Sequence, residues 1–229
     1  MCPLIAVSKG HIRYRYAHSM KPSQPEPGQS KILAVGGSPY DQTMTKVVFH
    51  TATTINGFLA DEGDSLQWLF DVPTDGLEDG DLTRFMPGVG AIVMGSTTYN
   101  WVVDFEDLMQ HPEKWQPFYG DRPTWVFSGR ERRQVPGANL RFVSGDVAAA
   151  WPEILDSANG GDVWVMGGGE LVGQFIDAGL LDEMRLSVAP ATLTSGRPLL
   201  PRNLGTNELT LTAARQVGAF AELIYEVRR

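Results

Sequence analysis

The chain has 229 residues, of which 42% are hydrophobic and 20% charged, the composition of an ordinary soluble globular protein. A net charge of −8 excludes bulk nucleic-acid binding, which needs a positive surface, but leaves room for a small anionic ligand held by backbone N–H groups and an arginine or two. The single cysteine, Cys2, excludes an internal disulfide and a cysteine-based metal site, which fits a cytoplasmic setting. No apolar run approaches the roughly 20 residues that span a bilayer, so no membrane association is expected. The short run Pro3–Val7 has no basic stretch before it, and no targeting segment is read.

Residues 1–43 differ from the rest. They carry the breakers Pro22, Pro25, Pro27, Gly28, Gly36, Gly37 and Pro39, and their charge is basic (Lys9, Arg13, Arg15, Lys21 and Lys31 against Glu26 and Asp41). Such a segment buries little apolar area and is expected to be disordered. Two readings stand: a flexible extension, or an upstream start with Met44 as the true one. A single domain is expected over 44–229.

From Lys46 the pattern is strand, loop, helix, repeated. Lys46–Thr54 is rich in Val, Phe and Thr and predicts a strand that ends at the turn Asn56-Gly57. Asp64 is placed to cap a short helix carrying Leu66, Trp68, Leu69 and Phe70. A second helix holds Leu82, Phe85 and Met86. Ala91–Met94 predicts a buried strand and Ser96–Val103 a helix. Pro123–Phe127 and Leu140–Val143 follow as strands, and Val147–Ala158 as a helix. Val163–Met166 is a strand, Glu170–Ala178 a helix closed by Gly179, and Glu183–Ala189 a strand. Glu208–Val217 and Phe220–Val227, joined by Gly218-Ala219, predict an antiparallel hairpin. The fold class is α/β: a mainly parallel mixed sheet flanked by helices, with the hairpin at its edge.

In open α/β sheets ligands bind beyond the carboxyl ends of the strands. Three junctions of that kind draw attention. At Gly95-Ser96-Thr97-Thr98 a strand runs into a glycine and hydroxyl residues that open a helix, a pattern that suits a phosphate and equally a plain helix cap. At Gly167-Gly168-Gly169-Glu170 three glycines separate a strand from a helix. Close approach of a diphosphate accounts for all three, and tight strand–helix packing is the alternative. At Ser128-Gly129-Arg130 a strand ends in groups able to grip an adenosine phosphate, or in a solvated loop tip. None of these is GxGxxG, which argues against a standard Rossmann domain. The histidines have no metal-ligand company, and His50 in the first strand is read as a packed side chain.

In this order the three junctions resemble the dihydrofolate reductase-like superfamily, most nearly the C-terminal reductase domain of the bacterial bifunctional riboflavin-synthesis deaminase–reductase. The resemblance spans 44–229. Thr53-Thr54-Ile55-Asn56-Gly57-Phe58-Leu59-Ala60 is similar to the family's S-x-D-G-x-x-A opening. Gly95–Thr98 and Gly167–Glu170 are similar to its phosphate loops. Leu181–Leu186, Ala189-Pro190 and Gly196–Leu200 are similar to its closing strand and loop.

The resemblance implies an NADPH-dependent oxidoreductase acting on a small heteroaromatic molecule, a pyrimidine or pterin of riboflavin or folate metabolism. It implies the diphosphate on Gly95, Ser96, Thr97, Thr98, Gly167, Gly168, Gly169 and Glu170, and the 2′-phosphate on Ser128 and Arg130. The substrate would lie near Thr53, Thr54 and Asn56, and a homodimer would be the assembly. Asn56 stands where the family carries an aspartate, and an amide cannot be a general acid. Ser96 stands where dihydrofolate reductases carry an arginine, which favours NADPH over NADH only if Arg130 or Arg132 compensates. Asp81, in Asp81-Leu82-Thr83-Arg84-Phe85, resembles the substrate-binding carboxylate of dihydrofolate reductases; the alternative is a first-turn acid on a surface helix. The rival readings are a reductase of other carbonyl or imine compounds and a non-catalytic nucleotide-binding protein. The zinc deaminase signature is absent from this chain.

Overall fold

The computed structural model describes residues 45–77, 80–130 and 132–228. The expectations for residues 1–43 and Met44 lie outside them. The first strand, β1 (Val47–Thr54), is buried at every position. It turns through Gly57 into the short β2 (Phe58–Ala60), followed by the brief helices α1 (Gln67–Phe70) and α2 (Asp81–Phe85). Then come β3 (Val89–Gly95), α3 (Ser96–Phe105), α4 (Trp115–Tyr119), β4 (Thr124–Phe127), β5 (Leu140–Val143) and α5 (Val147–Ser157). The chain closes with β6 (Asp162–Gly167), α6 (Gly169–Asp177), β7 (Glu183–Ala189), β8 (Arg197–Pro198), β9 (Leu209–Val217) and β10 (Phe220–Val227).

Among the described residues eight strands form one sheet in the order β5-β4-β3-β6-β1-β7-β10-β9. The six strands from β5 to β7 run parallel, and β10 and β9 add to β7 antiparallel. The expected mixed sheet with its terminal hairpin is therefore the architecture found. The alternation of a pleated strand splits its side chains between two cores. Val47 and Phe49 of β1 join Val163 and Val165 of β6 under α5 and α6. Val48, Trp164 and Met166 face the other way, under α2, α3 and α4 through Phe85, Val102 and Trp115. Because both faces of β3 and β6 are covered, Ala91–Met94 and Val163–Met166 read as unbroken apolar runs, whereas β1 passes from apolar residues to the buried His50, Thr51, Thr53 and Thr54.

Two local expectations are corrected. Asp64 does not cap α1: it adopts a left-handed backbone (φ 63°), and its carboxylate pairs with Arg197 at 2.6 Å. The Ser65 hydroxyl accepts the Gln67 N–H at 3.2 Å instead. Arg197 reaches Asp64 from β8, which pairs with β2 in a small separate sheet that has no counterpart in the sequence reading. α4 likewise falls in a stretch where no helix is expected.

Candidate functional site

The carboxyl ends of β3, β4, β5 and β6 open into one cleft of about 330 Å³, at the lower end of the roughly 300–1,000 Å³ common for ligand pockets. Gly95, Ser96 and Thr97 line it from the end of β3, Phe127, Ser128 and Gly129 from the end of β4, Gly145 from the loop after β5, and Gly168, Glu170, Leu171 and Gln174 from the β6–α6 junction and α6. Three sequence junctions separated by 30 residues or more thus meet at one place.

The two helices that start here, α3 and α6, have glycine N-caps, Gly95 and Gly168, and neither receives a side-chain cap. Their first N–H groups have no intrahelical acceptor, and the helix dipole adds partial positive charge at the same point. The two starts are back to back: a Cβ placed on Gly95 would lie 3.7 Å from the Gly168 nitrogen. Paired uncapped helix starts facing one cleft suit an extended anion such as a diphosphate.

The three glycines of the β6–α6 junction do different things. Gly168 lines the cleft, and a Cβ there would meet nothing within 4 Å. Gly167 has φ 118°, a backbone that side chains disfavour, and is joined to Gly168 by a cis peptide. Gly169 lies under the loop after β8, where a Cβ would come within 2.6 Å of the Leu199 oxygen and 2.7 Å of the Pro198 oxygen. Diphosphate approach therefore does not account for all three: close packing accounts for Gly169.

Ser128 organises its own loop. Its hydroxyl donates to the Arg130 oxygen at 2.7 Å and accepts from Arg132 Nε at 2.8 Å. Arg132, half-buried, is thus tied to a residue of the cleft wall without lining the cleft itself, and Arg130, also outside the lining, is exposed and contributes its backbone to the loop. Thr98 is buried within α3 and is not part of the wall. Glu170 is part of it, but its carboxylate is gripped by the Arg202 guanidinium at 2.9 and 3.1 Å. That bond holds the Glu170 carboxyl below its ordinary pKa.

The structure does not bring the remaining candidates to this cleft. Asn56 clamps two loops together: Nδ2 donates to the Leu193 oxygen at 2.6 Å, and Oδ1 accepts the Leu193 N–H at 3.2 Å. The Thr54 hydroxyl donates to the same Oδ1 at 2.9 Å and accepts the Phe58 N–H at 2.9 Å. The Thr53 hydroxyl donates to the Phe58 oxygen at 3.1 Å. These three residues sit at the end of β1, and their polar atoms are engaged in holding the β1–β2 turn.

Asp81 faces neither solvent nor the cleft. It is 6% exposed, at the start of α2, and lies over the sheet rather than at its edge. Its Oδ2 is 3.2 Å from His50 Nε2 and 3.2 Å from Arg185 Nη1, and its Oδ1 is 3.2 Å from Arg215 Nη2. Burial pushes the carboxyl up, but the bonds to His50 and Arg185 outweigh it and leave the pKa below its ordinary value. Both sequence readings of Asp81, a substrate-facing acid and a surface first-turn acid, give way to a buried ion cluster. His50 is the packed side chain expected, stacked on Phe85 at 5.4 Å. Gly145, Leu171, Gln174 and Arg202 were not singled out in the sequence. Two of them carried a local signal: Gln174 lies one helical turn beyond Glu170 on the same face, and Gly145 lies between the expected strand Leu140–Val143 and helix Val147–Ala158.

Residues 107–220 match the family model of the RibD C-terminal domain. The uncharacterized protein YwjB of Bacillus subtilis (strain 168) is 27% identical over 180 residues, covering 79% of this chain and 97% of the relative. The crystal structure of a proposed riboflavin biosynthesis protein from Shewanella sp. PV-4 superposes with a TM-score of 0.66 at 22% identity, over 81% of this chain and 100% of that one. Dihydrofolate reductase from Enterococcus faecalis complexed with NADP(H) superposes with a TM-score of 0.51 at 17% identity, over 82% of this chain and 98% of that one. At these identities the two superpositions speak to the fold.

Proposed function

We propose, from the premise that the chain belongs to the dihydrofolate reductase-like superfamily and within it to the RibD C-terminal domain family, that it is an NADPH-dependent reductase of a pyrimidine or pterin related to riboflavin or folate metabolism. The observation that carries the reading is the cleft built on two uncapped helix starts set side by side. Gly95, Ser96, Thr97 and Gly168 would hold the diphosphate through backbone N–H groups and hydroxyls. Ser128 and Arg132, with Arg130 at the loop tip, would take the 2′-phosphate, since a guanidinium fork matches phosphate oxygens. The adenosine would then lie toward β4 and β5, and the nicotinamide toward β1 along the same sheet edge. The nicotinamide supplies the hydride; the chain supplies position and exclusion of water.

The engagement of Asn56 and Asp81 by internal bonds favours a second reading, a nucleotide-binding protein of the same fold without reductase chemistry. Turnover of NADPH in the presence of pterins or ribosylaminopyrimidines separates the two.

The first test is titration of the full chain with NADPH and NADH, followed by tryptophan fluorescence. NADPH is expected to bind more tightly than NADH. Gly168→Asp should abolish binding without unfolding the protein, because the position is open and the new carboxylate would occupy the cleft. Failure of the folded protein to bind either nucleotide would remove the reductase reading and leave the fold.

A further inference from the structure

Glu170 places a carboxylate in the wall of a cleft whose other features suit an anion. An unbalanced negative charge there would oppose the diphosphate, and the fold answers it with one residue. Arg202, in the loop after β8, lies along α6 and touches one acid on each of two turns. Its Nη2 and Nη1 donate to Glu170 at 2.9 and 3.1 Å, and its Nε donates to Asp177 at 2.9 Å. Gly173, between them on the helix, is what lets the guanidinium lie so low: a Cβ there would be 2.7 Å from Arg202 Cζ. Gly169, one position before Glu170, admits the backbone of the same loop. Two helix glycines and two acids are therefore arranged around one arginine.

We propose that Arg202 is a positioning residue for the nucleotide cleft, which cancels the Glu170 charge and turns that carboxylate away from the diphosphate. The inference rests on the nucleotide reading of the cleft. Its distinctive consequence is a sign. Arg202→Gln and Glu170→Gln break the same ion pair, yet they change the charge beside the cleft in opposite directions. If Arg202 were only a strap on the loop, the two variants would weaken nucleotide binding alike.

The experiment measures NADPH dissociation constants for the full-length wild type, R202Q, E170Q and the double variant, with thermal melts to verify folding. R202Q is expected to weaken binding about tenfold at low salt, the effect of a unit charge roughly 12 Å from the ligand at an effective dielectric of about 20. The penalty should shrink as salt screens it. E170Q should bind as well as wild type or better, and the double variant should return to within about twofold of wild type. Arg202→Lys, which keeps the charge but not the fork, should retain most of the affinity. Equal losses in R202Q and E170Q, with wild type binding normally, would overturn the proposal and leave the nucleotide reading intact. Absence of nucleotide binding by wild type would overturn both.

Discussion

The Asp81 carboxylate draws partners from three strands and its own helix. His50 belongs to β1, Arg185 to β7 and Arg215 to β9, and Arg84 one turn along α2 lies 4.0 Å away. Glu222 of β10 closes the cluster: its Oε1 accepts the Asp81 N–H at 2.7 Å, and its other oxygen pairs with Arg215. Removing one charge from such a cluster leaves the others buried without compensation. Asp81→Asn is expected to destabilise the protein by about 3 kcal/mol, the low end for a buried pair because Arg215 and Arg84 partly reach solvent. Because the folded pKa is depressed, the contribution of Asp81 is complete above its unfolded value near 4 and fades as pH falls through the folded value. Urea unfolding at pH 7 and pH 3 should therefore show a large gap between wild type and D81N at pH 7 that narrows at pH 3. Equal midpoints at pH 7 would show that the cluster adds nothing.

At the scale of elements, the β6–α6 junction separates two neighbouring glycines by what surrounds them. Gly169→Ala would press a methyl group against the Pro198 and Leu199 carbonyl oxygens and is expected to cost about 2 kcal/mol in thermal unfolding. Gly168→Ala meets open space at a φ of −70° and should stay within about 0.5 kcal/mol of wild type. A fully stable G169A would show that the loop after β8 does not pack as described. β3 and β6 were legible because both faces of each are buried and filled by apolar side chains, while β1 and β7 were legible from their β-branched and alternating apolar residues although both also bury polar ones. Gly95 and Gly168 were legible because strand, glycine and helix start are contiguous. The fate of Asn56 was not, because its partner Leu193 is 137 residues away. The fate of Asp64 was not, because Arg197 is 133 residues away. The Glu170–Arg202 pair spans 32 residues and a change of element, which no local pattern encodes.

For the molecule as a whole, the cleft exists only when distant segments are in place: Gly95, Ser128, Gly145 and Gly168 come from four strand ends. A nucleotide that binds this assembled edge and not the unfolded chain must stabilise the entire fold. At 100 times its dissociation constant it should add about 2.7 kcal/mol, or roughly 5–11 °C in melting temperature for a domain of this size. Calorimetry with NADPH tests this, and an unchanged melting temperature at such saturation would contradict the cleft assignment.

The position of β1 in the sheet has a consequence for how the protein is made. β1 lies between β6 and β7, so the earliest strand of the sheet has its neighbours late in the chain. Its entry is fixed by the Lys46 N–H bond to Asp162, 116 residues on, and by the Val47 N–H bond to Asp182, 135 residues on. At about 5–20 residues per second, β1 leaves the ribosome roughly 6–23 s before its first partner does. For that interval a strand destined for complete burial is exposed to other chains. Expression yield should therefore depend on chaperone supply and on translation speed across the middle of the message, more than on the stability of the finished fold.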